Sequence, residues 1–273
     1  MTKNRQKMKS FEELAKANSR GRFLRIWIHP FYEAVHGLGE AEFKCCLYLL
    51  MARNGKGFII VQADEIAAAA HVSHDTVCTT ISHLINHDLL ARVRNGVLMM
   101  NPAVVYSEKE VLRGKDYAKY RGIQAKSGKQ FDGYSTSAED GSFLYDAETG
   151  EVIDSIALPM GMSFLKVWKY PFAKALNGLG RYQITVCLYM LKQLGSNGKV
   201  YVSRMQLAQA CSVSERTVRR TIQFLEAVNF LCTIHRTCFM VNPDIVCFDL
   251  QHNQAEQRTE YHQIQAENKS SKE

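Results

Sequence analysis

The chain has 273 residues, a formal net charge of +7, and apolar and charged fractions that are ordinary for a globular protein. Its length fits two domains of roughly 100 to 200 residues each. The sequence contains no run of about 18 apolar residues, so it predicts no transmembrane helix. The N-terminus is basic but lacks the apolar stretch of a secretory signal. We therefore expect a cytoplasmic protein that does not enter a membrane.

Eight cysteines are present, and none of them forms a CxxC pair. This spacing fits neither a common zinc site nor a disulfide framework. We expect reduced, mostly buried thiols.

The second half of the sequence repeats the first half at a constant offset of 141 positions. The segment that begins at Phe23 returns at Phe164, and the match continues without a gap to NPAVV and NPDIV. Two copies of about 80 residues predict duplicated domains rather than a solenoid. The predicted parts are a basic N-terminal arm (1–22), domain one (23–105), a flexible linker with a short hairpin near 143–156 (106–163), domain two (164–246) and a polar C-terminal tail (247–273).

In chain order, the arm contains SFEEL, whose Ser and Glu have the capping-box spacing of a short helix before domain one. Domain one ends in a hairpin with Asn95 and Gly96 at its tip, a pair that favours a type I′ turn. His83 and His87 have the i, i+4 spacing of metal ligands. Because their repeat partners are Phe224 and Val228, we expect both to lie against the core instead.

The linker is rich in Gly and Ser, and FLYDAETGEVIDSI at its end fits a small hairpin packed on domain two. In domain two, RYQITVCLYMLKQL predicts a helix, KVYVS a strand and MQLAQAC a second helix. Ser214 caps a third helix, in which Val218, Ile222 and Leu225 share one face. A hairpin with a turn near His235 follows, and the polar tail is expected to fray.

This order of elements describes a winged helix-turn-helix in each copy, so the predicted fold class is mainly α with small β-sheets (α+β), in two tandem domains. In such a domain the third helix enters the major groove and the hairpin, or wing, contacts the DNA backbone. The alternative is a winged helix that makes only protein contacts.

The charge is distributed unequally between the copies. Domain two carries +8 and domain one carries −1. A basic domain is expected of a protein that contacts a phosphate backbone, although a solvated basic face has the same composition.

The third helix of domain two places its basic residues on one face, opposite Val218 and Ile222. Arginine can bond guanine and glutamine can bond adenine, and each arginine can instead hold a phosphate. The candidate DNA-binding residues of the two copies are Ser214, Arg216, Arg219, Arg220, Gln223, His235, Arg236, Arg92 and Arg94.

The matching positions of domain one are Asp75, Cys78, Thr79 and Ser82, and none of them is basic. Domain one is therefore predicted to be the weaker DNA reader. Two roles stay open for it: contact with the DNA backbone through its wing or the basic arm, and a surface for dimerisation or a partner. Little loss of affinity on deleting residues 1–105 would favour the second role.

Domain two and its leading hairpin resemble the RepL family of Firmicute plasmid replication proteins. The resemblance is carried by ETGEVID (Glu148 to Asp154), SFLKVW (Ser163 to Trp168), LAQACSVSERTVRRTIQFLE and FMVNPDI, and domain one matches more loosely through GVLMMNP. It implies a role in initiating plasmid replication by binding an origin. The expected partners are double-stranded DNA and host replication proteins. The two copies depart from the family pattern.

An enzyme that nicks DNA would use a Tyr nucleophile with a metal held by paired histidines. The sequence has no His-hydrophobe-His motif, and no GxxxxGK[ST] loop for a nucleotide. We therefore predict a non-enzymatic origin-binding protein without a cofactor. A transcription regulator that binds a promoter operator is the alternative.

Overall fold

A computed structural model describes residues 23–55, 57–107, 112–126, 134–136, 144–146, 152–153, 164–248 and 254–270. The predicted basic arm, with its short helix, and much of the predicted linker lie outside the described residues. Within the described ranges, no helix is long and apolar enough to cross a membrane.

The helices and strands alternate in the same order in both halves of the chain. The first half contains β1 (Phe23–Ile26), α1 (Ile28–Val35), α2 (Glu40–Ala52), β2 (Phe58–Ile60), α3 (Ala63–Ala70), α4 (His74–Asn86), β3 (Leu90–Arg94), β4 (Val97–Met100), β5 (Val105–Tyr106) and α5 (Arg113–Lys126). Three short strands follow, β6 (Tyr134–Thr136), β7 (Leu144–Asp146) and β8 (Val152–Ile153). The second half contains β9 (Leu165–Trp168), α6 (Lys169–Leu176), α7 (Arg181–Lys192), β10 (Lys199–Tyr201), α8 (Arg204–Ala210), α9 (Glu215–Ala227), β11 (Leu231–His235), β12 (Cys238–Val241), β13 (Val246–Phe248) and α10 (Gln254–Ser270).

The predicted fold class is confirmed: helices with small antiparallel sheets are arranged in two compact units. Unit 1 contains the described residues between Ala41 and Leu158. Unit 2 contains Phe23–Glu40 and the described residues after Pro159. In each unit a three-stranded sheet holds the hairpin that we call the wing, β3–β4 in unit 1 and β11–β12 in unit 2.

The start of the first copy belongs to unit 2, which differs from the predicted boundary at residue 23. Strand β1 pairs antiparallel with β9, the strand at the same position of the second copy, and β9 pairs with β13 on its other side. The apolar side chains of both strands are buried by this pairing, in the registers Leu24↔Val167 and Ile26↔Leu165. Burial of these side chains stabilises the pairing of β1 with β9.

Basic residues meet at the centre of this strand pair, where Arg25 lies opposite Lys166. Like charges directly opposite each other are unfavourable. Aromatic rings stabilise both cations: the Arg25 guanidinium lies 5.5 Å from the Phe164 ring centre, and the Lys166 ammonium lies 5.3 Å from that of Phe23.

Helix α5 lies in the segment that we predicted to be a flexible linker. It packs against the unit 1 wing through a cluster that includes Tyr117, Tyr120, Ile123, Ala91 and Met99. Glycine and polar residues dominate this part of the sequence, but three apolar side chains on one helix face are enough to hold it on the sheet.

Helix α10 occupies most of the tail that we predicted to fray, so that prediction was wrong. Its Tyr261 is fully buried in a cluster with Cys232 and Met240 of the unit 2 wing. An ion pair of 2.6 Å between Lys199 and Glu260 links the helix to β10. The tail sequence is mostly polar because α10 packs on the wing through only a few apolar side chains, chiefly Tyr261 and Ile264.

The hairpin expected near 143–156 is present as the pair β7–β8, with Leu144 opposite Ile153. Strand β7 also pairs with β6. Contrary to our expectation, this small sheet contacts α5 and belongs to unit 1 rather than to domain two.

The wing of unit 1 does not form the predicted type I′ turn. Gly96 has a φ of +71°, but Asn95 is not among the residues of positive φ. The pairing shifts by one residue between Arg92 and Arg94, which is a β-bulge. A single left-handed glycine next to a bulge provides the turn that we had assigned to the Asn-Gly pair.

The Asn-Pro sequence after each wing ties the wing to the third helix. In unit 2 the Asn242 side chain donates to Asn229 O (2.8 Å) and accepts from Asp244 N (2.9 Å). In unit 1 Asn101 does the same with Asp88 O and Ala103 N. Both asparagines are buried, so this motif serves the fold.

Candidate nucleic-acid interface

The third helix of unit 2, α9, begins at a side-chain cap. The hydroxyl of Ser214 accepts a hydrogen bond from Thr217 N at 3.1 Å. Just before the cap, Ser212 has a φ of +52° and makes the sharp turn that follows α8. The Ser214 cap satisfies a free N–H group in the first turn of α9, and the left-handed Ser212 ends the preceding helix. Together they fix where α9 starts.

One face of α9 packs into unit 2, as predicted. Val218, Ile222 and Leu225 are buried, and Thr221 is buried between them with its hydroxyl donating to Thr217 O (2.8 Å). Because these side chains are buried along one face of α9, the opposite face of the helix is turned toward solvent.

The opposite face of α9 exposes all of its predicted site residues: Arg216, Arg219, Arg220 and Gln223. Their spacing of three and four residues places them side by side along the helix. Within the described ranges, none of the three guanidinium groups has an ion-pair or hydrogen-bond partner. Three positive charges and their donors are therefore available for an external ligand.

Some other basic residues of unit 2 are paired with acids. Lys192 lies 3.7 Å from Glu33, and Arg258 lies 2.6 Å from Asp244. In the part of the chain that the structure describes, the three arginines of α9 are not paired in this way, so their positive charge is concentrated on one helix face.

The wing of unit 2 presents the other two predicted residues at its tip, where His235 and Arg236 are exposed. The Nδ1 atom of His235 lies 3.4 Å from Thr237 N, the donor of this hydrogen bond. With Nδ1 as the acceptor, Nε2 is the ring nitrogen that can donate to a phosphate oxygen.

Arg204 is an exposed basic residue that our sequence reasoning missed. It is the first residue of α8, directly after the cap Ser203, whose hydroxyl accepts from Gln206 N (3.1 Å). The first helix of a helix-turn-helix crosses the DNA backbone, so an arginine in its first turn was a readable signal.

The matching face of α4 in unit 1 is also exposed but not basic. It carries Asp75, Cys78, Thr79 and Ser82, and the Cys78 thiol lies 3.6 Å from Nδ1 of His74. The wing residues Arg92 and Arg94 are exposed. Unit 1 thus presents positive charge on its wing and none at these four helix positions.

His83 and His87 do not both lie against the core. Their rings stack with centres 4.2 Å apart, and His83 is half-buried, but His87 ends α4 in an exposed position. Within the described ranges, no group of three or more His, Cys, Asp or Glu side chains is placed to hold a metal ion.

The thiols are free, and seven of the eight are buried, as predicted. Burial raises the pKa of Cys45 and of Cys211 to about 11. These thiols are therefore neutral and poorly reactive near pH 8 while the protein is folded. Cys78 is the exposed one.

The model of the Firmicute plasmid replication protein family, RepL, matches the chain twice, at residues 2–146 and 131–273. The chain belongs to the RepL family. Both matches include the helix that follows the wing, α5 in the first and α10 in the second. The RepL unit is therefore longer than the repeat that we recognised, and it takes in much of the predicted linker and tail.

The predicted resemblance is confirmed, and the two RepL regions agree with the tandem arrangement. Membership in RepL identifies a plasmid replication protein. Neither a curated protein nor a solved structure matches the chain.

Proposed function

We propose that this protein binds double-stranded DNA at a plasmid origin and initiates replication without itself catalysing a reaction. The observation that carries the proposal is the row of exposed, uncompensated arginines on α9 in a chain of the RepL family. Arg216, Arg219 and Arg220 supply either bidentate contacts to guanine or contacts to phosphate, and Gln223 can read adenine. The wing tip, Arg204 and Ser214 add contacts to the backbone.

Unit 1 differs in charge, and its neutral helix face favours a role other than base reading. We propose that Arg92 and Arg94 hold the DNA backbone, while the face of α4 is available to a host replication protein or to a second chain. In this scheme the protein acts in the cytoplasm, where it recruits replication proteins to the origin or opens the duplex locally.

The deletion of residues 1–105 is not a clean test of unit 1, because it would remove β1 and α1 from unit 2. Point substitutions avoid this problem. The decisive variant replaces Arg216, Arg219 and Arg220 by Ala. We expect it to lose specific binding, measured by the mobility shift of the origin fragment that the wild-type protein protects from nuclease digestion.

A charge-matched control replaces three exposed lysines on other helices by Ala: Lys115, Lys174 and Lys269. This control loses the same net charge and should retain specific binding. A converse variant introduces Arg at Asp75, Cys78 and Thr79, which should increase the affinity of unit 1 for DNA. Unchanged affinity of the α9 variant would overturn the assignment of the site.

Mapping of bound DNA in the host separates the two functions considered from the sequence. Enrichment of a repeated sequence at the plasmid origin supports the initiator. Enrichment at a promoter operator alone would assign a transcription regulator instead.

A further inference from the structure

The end of α9 is held by side chains from two other parts of unit 2. The chain leaves the helix at Asn229, which has a φ of +58°. Asn242 donates to its carbonyl oxygen at 2.8 Å. From α10, Tyr261 OH donates to its Oδ1 atom at 2.8 Å, and the Gln265 side chain donates to the same oxygen. We call these four residues the unit 2 clamp.

Unit 1 has a corresponding clamp at positions 141 residues earlier, in which Asp88 replaces Asn229 and also pairs with Arg121 at 3.3 Å. Asp88 has a φ of +59°. Its carbonyl oxygen accepts from Asn101 (2.7 Å), and its Oδ1 accepts from Tyr120 OH (3.1 Å) and Gln124 (2.5 Å). The clamp is thus present in both copies, although the outward faces of α4 and α9 carry different side chains.

Helix α10 also binds the wing. Tyr261 packs with Cys232 and Met240 of the wing strands, and Asn268 donates to Thr233 O on β11 at 2.8 Å. The same helix therefore contacts the end of α9 and the strand that leads to the wing tip. In the proposed complex these are the two elements that face DNA.

We propose that α10 is a positioning helix, which sets the orientation of α9 relative to the wing through the unit 2 clamp and Asn268. This inference rests on the proposed function, because it concerns how accurately α9 meets the bases. Bidentate base contacts require placement within about 0.5 Å, whereas phosphate contacts through long side chains tolerate a looser arrangement. Loss of the clamp should therefore weaken specific binding much more than non-specific binding.

The test is the full-length double variant Tyr261→Phe and Gln265→Ala, which keeps the buried ring but removes both donors to Asn229 Oδ1. We expect the Kd for an origin duplex to rise about tenfold, in line with the loss of one good base contact. The Kd for a scrambled duplex of the same length should stay unchanged, with the same salt dependence. Hydrogen exchange of the amides at the end of α9 should become faster.

The matched control is Tyr120→Phe with Gln124→Ala, which removes the two corresponding donors to Asp88 and should leave the specificity ratio within twofold. Arg121 still pairs with Asp88 in this control, at 3.3 Å. A second variant, Asn268→Ala, removes only the link to β11 and should also lower the specificity ratio. It serves as the test if the double variant does not fold.

Three outcomes would overturn the proposal. In one, the variant binds the origin duplex as tightly as the wild-type protein. In another, specific and scrambled duplexes lose affinity equally, which indicates general unfolding. In the third, the unit 1 control lowers the ratio as much. Failure of the proposed function is distinct from these, because then the triple arginine variant itself would retain specific binding.

Discussion

Ile26 belongs to the first copy by sequence but should stabilise the second unit. Its side chain is 1% exposed, and it lies in β1 opposite Leu165 of β9. Substitution of a buried Ile by Ala typically costs about 2 to 5 kcal/mol. With a loss of about 3 kcal/mol and an m-value of about 2 kcal/mol per M, the urea midpoint of unit 2 should fall by about 1.5 M.

Buried thiols report the unfolding of each unit separately. Cys45 and Cys46 lie in unit 1, while Cys187 and Cys211 lie in unit 2. Burial raises the pKa of all four, so brief alkylation at pH 8 labels them only after their unit unfolds. The labelled fraction at each urea concentration is read by peptide mass spectrometry.

In the Ile26→Ala variant, Cys187 and Cys211 should become reactive at a lower urea concentration, with a smaller change at Cys45 and Cys46. The control Leu84→Ala removes a fully buried side chain of α4 and should have the opposite pattern. An Ile26→Ala variant in which the unit 1 thiols move as far as those of unit 2, or farther, would refute the assignment of β1 to unit 2.

Two other predictions concern the wing and the Asn-Pro motif. Replacement of Arg92 and Arg94 by Ala should reduce the slope of log affinity against log salt by about two if both hold phosphates. The slope is measured by DNA titrations at several salt concentrations. An unchanged slope would favour the partner role of unit 1. Replacement of Asn242 by Ala removes two hydrogen bonds of a buried side chain. It should lower the free energy of unfolding of unit 2 by about 1 to 3 kcal/mol, measured by thermal or urea unfolding. A stability within about 0.5 kcal/mol of wild type would show that the motif does not support the fold.

The helix-turn-helix of unit 2 was predictable because its apolar spacing and its capping residue can be read directly from the sequence. Val218, Ile222 and Leu225 recur at helical spacing, and Ser214 is a good cap. The exposed face follows from the same geometry. These features are local, so no knowledge of the rest of the chain was needed.

The placement of β1 was not predictable from the repeat. Equivalent strands have equivalent patterns, so the sequence alone does not show that β1 pairs with its counterpart β9. Pairing of β1 with β9 is a long-range choice, decided by which apolar side chains are buried together.

Helices α5 and α10 were missed for a different reason. Both are mainly polar, and both lie beyond the Asn-Pro motif that ends the predicted domains. Comparison at the same offset would have continued to YRGIQA at Tyr120 and YHQIQA at Tyr261. The matching Tyr and Gln side chains are the clamp residues, so the signal was present in the sequence.

The two faces of α9 have different roles: one stabilises unit 2, and the other is exposed to solvent. Unit 2 is held together by contacts of the buried face of α9, of its Ser214 cap and of the unit 2 clamp. The arginines of its outer face make none of these contacts. Exchange of outward residues, such as Asp75 for Arg216 between the copies, therefore costs little stability, since surface substitutions usually stay within about 0.5 kcal/mol. One RepL scaffold can thus present two faces of different charge, and in our proposal this lets a single chain combine a base-reading unit with a unit that serves another contact.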